Sequence, residues 1–373
     1  MTSRNGKSVV RSAGRPNIAQ GMSSAHSRSA VGAGLVALDY VMTNDDPQNT
    51  RVWAGGTCGN VLTILAFLGW KSYPIARLQT GLQANLLRKD LERWGVLTRF
   101  VTEDATGSTP IILHRILREP GKPPRHAFST RCRDCGHWFP THKPITRAIA
   151  QKAIAEMPTS DVFFFDRVSP GALELANHHA RNNGLVMFEP NSVRDERLFN
   201  RACEVAHVVK YSQTQMMDQG DLLEQLGPNL LIETNGAEGL RFKQRGSAWV
   251  HLAAVPAPVV RDTAGAGDWL SAGFLSVVSR RHVGGELRLE RVKASLAHGQ
   301  RLAAINCAYE GARGAMYHLT PTELASMVRN LQETRGSEPS LPPAKATPRL
   351  CPDCSHGPAI KSTAVTARKP SAP

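Results

Sequence analysis

Between Arg261 and Leu270 the chain reads RDTAGAGDWL, in which Asp262 and Asp268 enclose the small residues Ala264, Gly265, Ala266 and Gly267. Glycines let a backbone approach a ligand closely. A Gly-Ala-Gly run that enters a helix leaves amides unpaired, with the positive end of the helix dipole behind them, and this suits a phosphate. A carboxylate beside a bound phosphate is poorly placed unless it has a separate task. Accepting the proton of an attacking hydroxyl is such a task, which makes Asp268 a candidate general base and the amides of Ala264 to Gly267 a candidate anion hole. An ordinary Asp-capped loop ahead of a core helix fits the same ten residues, and the stretch alone does not decide between them.

A second chemistry lies in the cysteines. STRCRDCGHWFPTH holds Cys132 and Cys135 with His137 and His142 close behind, and RLCPDCSHG holds Cys351, Cys354 and His356. C-x-x-C spacing suits a tetrahedral ion, and the two pairs could together make a four-thiolate zinc site that ties the C-terminal tail back toward the chain's middle. Two unconnected pairs of loop thiols are the plainer alternative, and a redox pair is a third. Seven cysteines without a secretory signal fit reduced thiols in a cytoplasmic protein. Cys58, Cys203 and Cys307 sit among apolar residues and are expected to pack as small hydrophobes. His178 and His179 follow an amphipathic stretch and are expected at its solvated or core edge. Arg131 and Arg133 are expected in a solvated loop.

The elements that must position these groups alternate. VGAGLVALDYVM is an apolar strand placing Asp39 at its end, GNVLTILAFLGW is a helix stopped at Gly69, KSYPIARLQ is a strand, and NLLRKDLERWGV is a helix. DVFFFDRV, GLVMFEPN, VAHVVKYS and NLLIETNG are further strands separated by helical stretches. That order predicts an α/β fold in three layers, with a mostly parallel central sheet between helices. Ligands gather at the carboxyl ends of such strands, here near Asp39, Asp166, Asn191, Lys210 and Thr234. Residues 40–54 and 107–131 break the alternation and are expected to pair as a small antiparallel β lid, followed by a Cys/His insertion at about 130–142.

The 373 residues thus suggest one domain over 29–335 between two tails. Net charge is +14, but residues 1–28 carry five bases and no acid, and residues 336–373 carry five bases against two acids. The body is only mildly basic, no base-reading motif accompanies the tails, and a nucleic-acid role is not expected. Both tails are expected to be disordered. No uncharged apolar run approaches membrane-spanning length.

From about Val31 to Ala315 the chain resembles the ribokinase-like (PfkB-type) sugar and nucleoside kinases. DTAGAGD, residues 262–268, matches the family's second signature, and GGTCGNVLTILAFLGW matches the first, in which Gly55, Gly56 and Asn60 face the sugar. Asp39 falls where the family holds substrate hydroxyls. TNGAEG resembles the nucleotide loop, with Thr234, Gly236 and Gly239 at its pattern positions, and INCAYEGARGA places Asn306 near the nucleotide. The resemblance implies ATP and Mg2+ as cofactors, a sugar, sugar-like or nucleoside acceptor, and Asp268 as base. It also implies nucleotide contacts from Lys210, Ala264, Gly265 and Gly267, a K+-responsive loop at Asp262, Thr263 and Gly314, and often a homodimer through the lid. Ser212 and Gln215 stand where the family often has Asn-x-x-Glu, and Glu189 where aspartate is usual. Gln215 lacks the charge a glutamate directs toward hydrated Mg2+, so a non-catalytic sugar or nucleotide sensor on this fold is the competing reading. Trp269 either narrows the pocket or packs beneath the helix start.

Overall fold

The structure is a computed structural model that describes residues 28–44, 50–119, 124–217, 219–278, 289–331 and 351. The sequence expectations for both tails, and for Cys354, therefore fall almost wholly outside the described residues.

Strand β1 (Ser29–Ala33) is buried throughout and ends sooner than its apolar pattern suggests. The chain turns at Gly34–Val36 and continues as β2 (Ala37–Thr43), which belongs to a different sheet. Asp39 therefore lies inside a lid strand and not at the end of the first core strand. β3 (Thr50–Gly55) leads into α1 (Thr57–Phe67), then β4 (Lys71–Gln79), α2 (Leu82–Arg93), β5 (Val101–Asp104), β6 (Ile111–Leu117) and β7 (Arg125–Ser129). Helix and strand then alternate through α3 (Arg147–Glu156), β8 (Val162–Phe165), α4 (Pro170–Arg181), β9 (Leu185–Phe188), α5 (Glu196–Val205), β10 (Val208–Ser212), α6 (Gly220–Leu226) and β11 (Leu230–Thr234). The antiparallel strands β12 (Leu240–Gln244) and β13 (Val250–Leu252) follow, then helices α7 (Ala266–Val277), α8 (Leu289–Asn306) and α9 (Pro321–Arg329).

The main sheet has nine strands in the order β13-β12-β11-β10-β9-β8-β1-β4-β5, parallel from β11 to β5. Alternating side chains divide its core in two, as the two-residue period of a strand requires. Phe164 and Met187 pack toward α1, α7 and α8, whereas Phe163, Phe165, Val186 and Phe188 pack toward α3, α4 and α5. Central parallel strands covered on both faces must be apolar throughout, which is why VFFF and LVMF are so. Local signals start the outer helices. Ser169 accepts from the Ala172 amide ahead of Pro170, and Thr320 and Glu323 close a capping box on α9.

The lid is a four-stranded sheet, β3-β2-β6-β7. It is mixed and not antiparallel as expected, because β2 and β6 run parallel, with Asp39 beside Ile112. The long excursion from β3 through α1, β4, α2 and β5 back to β6 serves as the crossover that a parallel pair needs. Among the described residues no helix is long and apolar enough to cross a membrane.

Candidate functional site

The lid and the carboxyl ends of the main strands enclose a cavity of about 930 Å³. One wall is the start of α7. Gly265 has φ 74°, and a Cβ there would come within 2.2 Å of the Ala312 carbonyl, so only glycine fits this turn. The amides of Gly265 and Gly267 have no acceptor among the described residues and stand at the helix start. The amide of Ala264 is turned away: it donates to Asp262 Oδ1 at 2.7 Å, and Ala266 N–H donates to the Thr263 carbonyl at 3.2 Å. Of the four amides expected to face an anion, those of Ala264 and Ala266 are thus engaged within the loop. Asp262 is wholly buried, and its other oxygen accepts from Gly311 N at 2.7 Å, so its carboxylate braces the loop.

Asp268 follows at the first turn of α7 and lines the cavity. Asn60, from α1, donates to Asp268 Oδ2 at 2.7 Å. Burial and the nearby Glu189 push the Asp268 carboxyl well above the usual carboxylate range, against the opposing pull of Asn60 and Lys210. Beneath Gly267, Lys210 of β10 pairs with Glu189, whose other oxygen accepts from Ser271 at 2.6 Å. Asp166, paired with Arg167 at 2.8 Å, is raised to about 6 by burial. The strand rim is therefore acidic, with one buried lysine at its centre. Sequence reasoning set Asp166 near the rim and Glu189 where aspartate is usual, both without a role; what it missed was the pairing of Asp166 with Arg167 and of Glu189 with Lys210.

Asp39 faces this group from the lid. Its Oδ1 and the Oδ1 of Asn60 are buried, without hydrogen-bond partners among the described residues, and both residues line the cavity. Burial raises Asp39 to about 7, opposed by the buried cation of Arg313. Gly55 leaves room for this carboxylate, since a Cβ there would lie 1.9 Å from Asp39 Oδ2, and Gly56 begins the turn into α1. Arg313 was not singled out from the sequence. It is 2% exposed and donates to Asp90 Oδ2 at 2.8 Å and to the Ala54 carbonyl, holding lid strand β3 against the C-terminal half.

The far end of the cavity is lined by Thr234, Asn235, Gly236 and Gly239 after β11, with Ser212 and Gln215 after β10. Thr263 lines it too and meets His126 of β7 at 3.0 Å, which bridges lid and loop. Asn306 does not reach the cavity. It is wholly buried, with Nδ2 toward the Ala264 and Ala312 carbonyls at 3.4 and 3.3 Å and Oδ1 accepting from Ala315 N at 3.0 Å. Its contribution is to brace the loops around Gly265. Gly314 packs against Tyr309 nearby. Trp269 is wholly buried and donates to the Ala312 carbonyl at 3.1 Å, so it packs beneath the helix start and does not narrow the pocket.

Outside the cavity, Cys132, Cys135 and Cys351 come together, with their sulfurs within 4.8 Å of one another. Arg131 lies over Trp138 at 4.1 Å, and Arg133 points to Met42 Sδ at 3.2 Å, so neither reaches the cavity. Cys58, Cys203 and Cys307 are buried as expected. His179 is more deeply placed than a core edge: it is buried and stacks on Phe163 at 4.8 Å.

The pfkB family carbohydrate kinases match residues 146–318. No curated protein matches the chain in sequence. Solved structures match its fold. A fructokinase with bound ATP from Xylella fastidiosa superposes with a TM-score of 0.62 at 16% identity, covering 82% of this chain and 99% of that one. Aminoimidazole riboside kinase from Salmonella enterica, complexed with aminoimidazole riboside and an ATP analog, gives 0.60 at 18% identity, over 80% and 99%. The Burkholderia thailandensis nucleoside kinase in complex with inosine gives 0.58 at 17% identity, over 83% and 100%.

Proposed function

We propose that this chain transfers the terminal phosphoryl group of ATP to a hydroxyl of a sugar, a sugar-like compound or a nucleoside, a reading supported by the match of residues 146–318 to the pfkB family carbohydrate kinases. One observation carries the reading. Asp268, the two open glycine amides and the unpartnered oxygens of Asp39 and Asn60 all belong to one cavity. An acceptor with several hydroxyls satisfies Asp39 Oδ1 and Asn60 Oδ1, and the hydroxyl nearest Asp268 gives it a proton. The new P–O bond forms as the bond to ADP breaks, with the developing charge held by the Gly265 and Gly267 amides and by Lys210. The adenosine end lies along Thr234, Gly236 and Gly239. The lid excludes water.

Magnesium neutralises the transferring phosphates in such chemistry. Ser212 and Gln215 would offer it only neutral oxygens, so the nucleotide and water would complete most of its shell. Gln215→Glu is therefore expected to lower, severalfold, the Mg2+ concentration that gives half-maximal rate, as a Mg2+ titration at fixed ATP would show. Potassium belongs to the same reading, at the loop of Asp262, Thr263 and Gly314. So do a homodimer through the lid, whose β7 exposes Phe128, and a reduced cytoplasmic setting.

The test is purified protein with ATP and Mg2+, with and without K+, assayed for ADP release over sugars and nucleosides. Release that depends on the added hydroxyl compound supports the reading. Ligand binding with no such release by any compound would establish the sensor alternative that the neutral Ser212 and Gln215 favour.

Asp39 gives the acceptor site a pH dependence. Hydroxyls donating to Asp39 Oδ1 stabilise its ionised form, so binding releases a proton and acceptor affinity is expected to rise with pH through about 7. Asp39→Asn abolishes that slope and weakens the acceptor by about 1.5–3 kcal/mol, the worth of a hydrogen bond to a charged group. Calorimetric titrations at several pH values check both; an unaltered slope in the variant would rule Asp39 out.

A further inference from the structure

Cys132 and Cys135 follow lid strand β7, while Cys351 lies more than two hundred residues later, yet their sulfurs converge. Cys135 Sγ and Cys351 Sγ are 3.7 Å apart. Two sulfurs bound tetrahedrally to zinc at about 2.3 Å stand about 3.8 Å apart, whereas a disulfide brings them to about 2.05 Å. The local backbone is shaped for a shared ion. Gly136, at φ 73°, turns the chain, its N–H donating to the Cys132 carbonyl at 3.0 Å, while Cys132 N–H donates to the His137 carbonyl at 2.8 Å. This tight turn sets both sulfurs of the first pair on the side where Cys351 arrives. Cys132 and Cys351 are buried, in a dry setting next to lid residues Tyr40 and Met42. Arg131 and Arg133 flank the turn in sequence.

We propose that Cys132, Cys135 and Cys351 hold one structural zinc ion that fastens the C-terminal segment to the lid. A tetrahedral ion takes one further donor beside these three sulfurs. Binding converts the three thiols to thiolates and releases their protons to solvent, with no change of oxidation state. Because the insertion returns to the lid through Ile111 N–H to the Pro140 carbonyl at 3.3 Å, the ion sits where it steadies the base of the acceptor-facing sheet. Zinc is favoured over harder cations by a donor set with three sulfurs.

The test uses the full chain purified without chelator. Native mass spectrometry is expected to show one zinc per chain, lost in Cys351→Ser and in Cys135→Ser. Cobalt titrated into chelator-stripped protein is expected to produce thiolate-to-cobalt charge-transfer absorption and the visible bands of a tetrahedral site. Should the serine variants fold poorly, the cobalt spectrum of the unaltered chain decides. A chain that carries no zinc as purified and gives no thiolate–cobalt absorption would overturn the proposal. So would peptide mapping that finds Cys135 and Cys351 in a disulfide.

Discussion

Asp268→Asn is expected to leave a chain that folds and binds ATP but turns over on the order of 10²–10⁴-fold more slowly, the worth of a positioned general base. The amide keeps the shape of the carboxyl group and can still meet Asn60 after a flip of its end group, so packing in α1 and α7 changes little. What disappears is the group able to take a proton. The pH profile supplies a second readout. Burial and Glu189 raise the Asp268 carboxyl well above the ordinary range, and only its ionised form is a base. The rate should therefore fall with falling pH at values where an ordinary aspartate is still fully charged. Single-turnover measurement of the variant, with ATP affinity determined separately, checks the loss; undiminished turnover would remove Asp268 from the chemistry.

Arg313→Ala should cost about 3–5 kcal/mol of stability, because it leaves buried carboxylates without their cation. Arg313 meets Asp90 Oδ2 at 2.8 Å, and the same carboxylate accepts from Ala54 N at 2.8 Å and from Tyr317 at 3.2 Å. Tyr317 in turn stacks on Trp53 of β3, with ring centroids 4.5 Å apart. Removing one guanidinium thus loosens the lid strand, α2 and the segment before α9 together. Asp39 is affected in a predictable direction. The arginine holds its pKa down, so without it the carboxyl rises beyond about 7 and is more protonated at neutral pH, which weakens acceptor binding. Arg313→Lys keeps the charge but not the planar fork and should lose less. Denaturant midpoints at pH 7 measure the effect, and an unchanged midpoint in the alanine variant would show the ion pair to be replaceable.

Much of the core was legible because the central strands are covered on both faces and so are apolar without interruption. VFFF and LVMF could hardly be anything else. The lid was harder to read. LVALDYVM continues the apolar run of β1, and nothing in it marks that the chain leaves one sheet for another at Gly34–Val36. The parallel pairing of β2 with β6 depends on sixty-seven intervening residues that no local pattern reports. Within the candidate site, the glycines and Asp268 stood out by spacing. The capture of the Ala264 amide by Asp262 did not, although an Asx turn two residues on is a signal that an aspartate at that position carries. Arg313 with Asp90, and Lys210 with Glu189, are tertiary pairs whose partnership no local pattern announces. The cysteine pairs lie between these cases: each C-x-x-C was visible, while the meeting of Cys135 with Cys351 required coordinates.

The short step from β1 to β2 places Asp39 on a separate scaffold from the glycine turn of α7, with only Gly34–Val36 joining the two strands. In the proposed reaction, acceptor and phosphate are thereby met by separate elements of the fold. Substitutions in β2, β6 and β7 would therefore act on the acceptor's side of the cavity, whereas the turn at Gly265 is fixed by a backbone contact no side chain would permit.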